Sequence, residues 1–73
     1  MIDTLTEIVR EYTGSDDIVL TEDTQLQADL GLNSFDLVSL AVEVEDRLDL
    51  EIPDRVIKDF RTVADVIAFI EEQ

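Results

Sequence analysis

Apolar residues recur at helical spacing in three separate stretches of this chain, and that periodicity limits the fold more than any other feature. Ile2, Leu5, Ile8, Val9 and Tyr12 share one face of the first stretch. Leu37, Leu40, Ala41, Val44 and Leu48 share a face of the second, and Val63, Val66, Ile67 and Ile70 a face of the third. A repeat near 3.6 residues predicts amphipathic helices, each with a stripe to bury. The punctuation agrees. Gly14 suits a helix C-terminus, and Asn33 is a favoured N-cap. Thr62 and Asp65 stand three apart like a capping box, with Asp in place of the usual Glu. Pro53 suits the opening of a short helix over Asp54–Asp59, with Val56, Ile57 and Phe60 apolar. The expected fold is therefore all-α: a small four-helix bundle of three longer helices and one short one, with residues 1–73 as a single domain. The mixed stretch Ser15–Leu32 is too long for an idle loop. It is expected to lie across the core, anchored by Ile18, Val19, Leu20, Leu26, Leu30 and Leu32, with one helical turn near Leu26–Leu30.

Charge and absences narrow the function. The 73 residues hold 19 acids against 5 bases, a net charge of −14, yet 45% are hydrophobic, too many for a disordered acidic tail. Phosphates would be repelled, so no nucleic-acid partner is expected. Cysteine and histidine are both missing. No disulfide, thiolate metal site or cysteine nucleophile is available, nor the usual general base and zinc ligand. Asp46-Arg47-Leu48-Asp49-Leu50-Glu51 lacks the alternating ligands and the glycine of a calcium loop, so no metal site is predicted. The small size and thin chemistry argue against a self-sufficient enzyme. No apolar run approaches the length of a membrane span, and no basic-then-apolar leader opens the chain, so a soluble, cytoplasmic protein is expected. Strong like charge predicts a monomer, and a thin core that is sensitive to salt.

The helix predicted over Ser34–Leu48 carries one apolar stripe too many. At about 100° per residue, Phe35, Val38 and Val42 lie on a face separate from the core stripe. Asp36, Glu43 and Asp46 occupy the remaining side, and Glu45 sits beside the second stripe. Either the Ser15–Leu32 stretch covers this second stripe, or it docks a partner whose apolar patch is ringed by Lys and Arg. In the second case apolar contact would supply affinity, and charge would steer approach.

Ser34 opens the same helix. The free N–H groups and the dipole of that end favour a negative group, so a phosphate ester would sit well there. With no base to activate its hydroxyl, Ser34 suits an acceptor in another enzyme's reaction better than a nucleophile of its own. By position alone it would serve equally well as a helix cap. Asp29-Leu30-Gly31-Leu32-Asn33-Ser34-Phe35-Asp36 resembles the D-L-G-x-D-S-L-D signature of acyl carrier proteins. The likeness continues through Glu43, Glu45, Asp46, Leu48 and Glu51-Ile52-Pro53-Asp54, and length, acidity and helix order agree over the whole chain.

That resemblance implies a specific chemistry. Ser34 would carry 4′-phosphopantetheine, transferred from coenzyme A by a phosphopantetheinyl transferase, and acyl groups would ride on its thiol as thioesters. The protein would catalyse nothing. It would present cargo to fatty-acid or polyketide biosynthesis enzymes with basic docking patches. The recognition helix maps onto Phe35, Asp36, Val38, Val42, Glu43, Glu45 and Asp46, with Asn33 before the serine. Asn33 stands where the family usually has Asp, and Phe35 where it usually has Leu; both bear on the choice of transferase and partner. Small residues Ala28, Ala41, Ala64 and Ala68 would either shelter an acyl chain inside the bundle or simply pack closely. The competing functions are an aminoacyl or peptidyl carrier and an acidic helical adaptor or cation-binding protein without a prosthetic group.

Overall fold

The computed structural model describes residues 1–73 as four helices: α1 (Ile2–Thr13), α2 (Ser34–Leu48), α3 (Asp54–Ile57) and α4 (Val63–Glu71). There is no β-strand, only an isolated antiparallel bridge between Gln25 and Thr62. The all-α bundle of three longer helices and one short one is the architecture expected from periodicity.

Each helix begins and ends where local chemistry dictates. α1 buries Leu5, Ile8 and Val9 and closes at Gly14, whose φ of 75° lies in the left-handed region that favours glycine. The Gly14 N–H then donates to the Arg10 carbonyl. At the start of α2 the Asn33 side chain accepts from the Asp36 N–H at 2.8 Å, and the Asp36 carboxylate accepts from the Asn33 N–H at 3.1 Å. Two otherwise unpaired N–H groups are satisfied reciprocally. Thr62 and Asp65 repeat the arrangement at α4. The N–H groups of Arg61 and Thr62 both donate to the Asp65 carboxylate and hold its pKa below the ordinary aspartate value. α3 is shorter than the expected Asp54–Asp59. After Ile57 the Asp59 and Phe60 N–H groups reach back only three residues, to Val56 and Ile57, so the chain tightens into turns.

The Ser15–Leu32 segment is a strap over the core. Leu20, Leu26 and Leu32 are buried, and Ile18 and Leu30 half-buried, but Val19 is 72% exposed and anchors nothing. The expected helical turn is present: Asp29 donates to the Gln25 carbonyl, and Gly31 to that of Gln27. The strap is tied to the entry of α4. Leu26 donates to the Arg61 carbonyl, Val63 to Thr24 and Ala64 to Glu22. At its other end the Arg10 Nε donates to the Ile18 carbonyl at 2.7 Å.

Fifteen buried residues, all apolar, form one core cluster. Leu40, Ala41 and Val44 of α2 meet the α1 stripe, and Val63, Val66 and Ile70 of α4 close the third side. Phe60 and Phe69 pack edge to face, with centroids 6.1 Å apart. Across the surface, Arg47 of α2 pairs with Glu7 and Glu11 of α1. The Arg47 guanidinium lowers the Glu11 pKa, and its own is raised in return.

Candidate functional site

Ser34 is the first residue of α2 and is exposed, whereas Ser15 and Ser39 are half-buried. Because Asn33 and Asp36 satisfy the local capping, the helix end does not depend on the Ser34 hydroxyl. This separates the two roles that position alone leaves open: Asn33 is the cap, and Ser34 stands free beside it.

The Ser34 side chain opens onto a groove of about 620 Å³. Leu37 and Val38 of α2 and Ile57 of α3, with Phe60 beyond it, supply its apolar part. Gln27 of the strap, Asp54, Lys58 and Arg61 supply polar groups. The volume falls within the roughly 300–1,000 Å³ of small-molecule sites. An exposed hydroxyl, a helix N-terminus and a groove of this size together fit a flexible organic group esterified to Ser34 through phosphate.

The second stripe of α2 is bare. Phe35 is 75% exposed, Val38 45% and Val42 48%. The strap runs over the core and leaves this face open, so it does not cover the stripe. Glu43 and Asp46 are exposed near it, as is Asn33. The remaining two acids of the expected docking set are half-buried and already engaged in the fold. Asp36 caps α2 with one oxygen and accepts from the Tyr12 hydroxyl at 2.8 Å with the other. Glu45 accepts from the Ile52 N–H at 2.7 Å, fixing the turn that leads into α3. The cap is local, but the bonds to Tyr12 and Ile52 join residues 24 and seven apart, and no local pattern announces them. Arg61, Lys58 and Gln27 carry no sequence signal either, because the groove assembles from three segments.

Beneath the site, between α1, α2 and α4, lies a wholly apolar cavity of about 50 Å³. Of the four alanines considered for an acyl shelter only Ala41 lines it. Ala28 and Ala68 are exposed and Ala64 is half-buried, because they fall off the buried stripes.

The comparisons with known proteins converge. Residues 3–70 match the family model described as a phosphopantetheine attachment site. A meromycolate extension acyl carrier protein of Mycolicibacterium aurum is 37% identical over 68 residues, covering 93% of this chain and 70% of that protein. An acyl carrier protein of Clostridium perfringens is 36% identical over 72 residues, covering 99% of this chain and 95% of that protein. Among solved structures, an acyl carrier protein from Thermotoga maritima superimposes with a TM-score of 0.86 at 31% identity, covering 97% of this chain and 82% of that one.

Proposed function

Because this chain belongs to the phosphopantetheine-attachment family of acyl carrier proteins, we propose that Ser34 is the residue to which its 4′-phosphopantetheine is joined. The group is held covalently, and when bound it supplies the thiol on which acyl groups are carried as thioesters. The observation that carries the assignment is the exposure of Ser34 at the first position of α2, beside a cap that does not need its hydroxyl. Members of this family are carriers rather than catalysts, and the chain's own residues orient and present the cargo.

A phosphopantetheinyl transferase loads Ser34 from coenzyme A. That transferase, and the enzymes of the fatty-acid or polyketide type that then receive the cargo, meet the face formed by Phe35, Val38 and Val42, with Glu43 and Asp46 steering basic patches towards it. Asn33 keeps the capping geometry of the usual Asp without its charge, so a transferase reading this position meets a neutral amide. Asp36 and Glu45 contribute their field to the face while serving the fold first. Residues 1–73 act as one carrier unit, as a cytoplasmic monomer. No helix is long and apolar enough to cross a membrane.

The test is incubation with coenzyme A and a broad-specificity phosphopantetheinyl transferase, followed by intact-mass measurement beside Ser34→Ala. The parent should gain one phosphopantetheinyl group and the variant none. A variant that gains the group, or a parent that stays unmodified with several transferases, refutes the assignment to Ser34. Trapping the loaded form from its native cell then distinguishes acyl from aminoacyl cargo.

A further inference from the structure

Five bases are present in a chain of net charge −14, and their placement is uneven. Arg10 is taken up by the Ile18 carbonyl and Arg47 by Glu7 and Glu11. The remaining three, Arg55, Lys58 and Arg61, are exposed, lie within seven residues of one another, and make no ion pair. Two of these three, Lys58 and Arg61, line the groove onto which Ser34 opens. The Arg61 backbone is pinned on both sides: its carbonyl accepts from Leu26, and its N–H donates to the Asp65 carboxylate. Its head group is therefore free to move while its base is fixed in place. The groove's own carboxylate is Asp54, and Asp36 lies two residues beyond Ser34. An anion placed on Ser34 would meet repulsion from these acids unless the two cations offset it.

We propose that Lys58 and Arg61 form a cationic clamp for the phosphodiester that joins the arm to Ser34. The inference rests on the assignment of Ser34 made above. The phosphodiester is the anion whose position is settled by connectivity: it is bonded to the Ser34 oxygen and so stays at the wall of this groove, whereas the far end of the arm is free to leave. Guanidinium and ammonium groups both make charge-assisted hydrogen bonds to phosphate oxygens. Tethering makes the encounter intramolecular, so a contact too weak to hold free phosphate is well populated here. The clamp would hold the Ser34 end of the arm at the groove that Leu37 and Ile57 also line. It also gives a chain that otherwise repels anions one local site that accepts one.

The experiment compares apo and arm-bearing forms of the parent, of Lys58→Gln/Arg61→Gln, and of Arg55→Gln, a base outside the groove. Intact mass first establishes that each carries one arm. If no arm can be installed on Ser34 of the parent, the assignment above fails and the clamp falls with it. With the arm in place, the phosphodiester ³¹P resonance should differ between parent and double variant at low salt and converge above about 0.5 M, as screening takes hold. Arm attachment should raise the melting temperature of the parent relative to the double variant by about 4 °C. Arg55→Gln should behave like the parent. Loading with malonyl or with butyryl cargo separates the two anions an arm can bear. The clamp predicts the same cation dependence with both, and dependence seen only with malonyl would overturn it in favour of the distal carboxylate. Identical ³¹P shifts and melting increments in parent and double variant also overturn it, including where the double variant is impaired with an enzyme partner. An equal loss in Arg55→Gln would mean that general charge, not a site, is responsible, and the clamp would fall on that result too.

Discussion

Replacing Phe35 with alanine separates docking from folding more sharply than any other substitution, because the ring is three-quarters exposed. A phenylalanine offers roughly 150–250 Å² for burial, so about 150 Å² remains free on this face. At about 25 cal/mol per Å² that surface is worth at most about 4 kcal/mol to a partner that covers it completely. Ordering of side chains at the contact reduces the return, and about 2 kcal/mol is the expected loss on truncation, typical of a buried aromatic anchor. That corresponds to a fall of about 30-fold in kcat/KM for arm transfer to Ser34, followed by intact mass at sub-saturating carrier. Stability should move by no more than about 0.5 kcal/mol, since the ring contributes little to the core and alanine favours the helix. Circular dichroism and a urea titration on the same sample check this second half. Phe35→Ala modified as fast as the parent would refute the docking role of the stripe. A large loss of stability would instead mean that the ring supports the fold despite its exposure.

Core packing, capping and net charge each carry a further expected outcome. Val63 is the most enclosed side chain, 1% exposed, and it borders the 50 Å³ apolar cavity. Val63→Ala should therefore cost about 2 kcal/mol, a large share of the roughly 3–5 kcal/mol available to so small a core, and should lower the urea midpoint without changing the slope. Asp65→Asn should cost about 1 kcal/mol at neutral pH. The folded-state pKa of Asp65 lies below its ordinary 3.8, so its contribution is complete above that value and disappears as pH falls through the lower one. The gap between parent and variant should accordingly persist at pH 3.8 and close only as pH falls further, in pH-resolved thermal melts. Finally, raising salt from about 10 to about 200 mM should raise the melting temperature. At the lower salt the screening length of about 30 Å spans the whole 29 Å molecule, so a net charge of −14 repels itself throughout. Screening relieves that repulsion by more than it weakens the Arg47 pairs, and a melting point that falls with salt would reverse this ranking.

The helices are legible in the sequence because a helix is a local object. Its stripe, its cap and its stop all lie within a few residues of one another, as Gly14, Asn33 with Asp36, and Thr62 with Asp65 demonstrate. The bare stripe is legible for the same reason: one helix face can be read from spacing, although only the path of the strap decides that nothing covers it. Val19 reads as an anchor in sequence and is not one, because a non-helical segment has no period from which to infer its inward side. Asp36 and Glu45 read as solvent-facing acids, yet they bond to Tyr12 and Ile52.

Local chemistry therefore determined the four helices, the position of Ser34 at the head of one, and the acidic, apolar-striped face beside it. Tertiary structure alone decided which acids are spoken for and which bases are left over, and it brought Lys58 and Arg61 to the groove of Ser34. The difference has a physical origin: periodicity and capping act over one or two turns, whereas a groove is made by segments that meet only after the core has drawn them together.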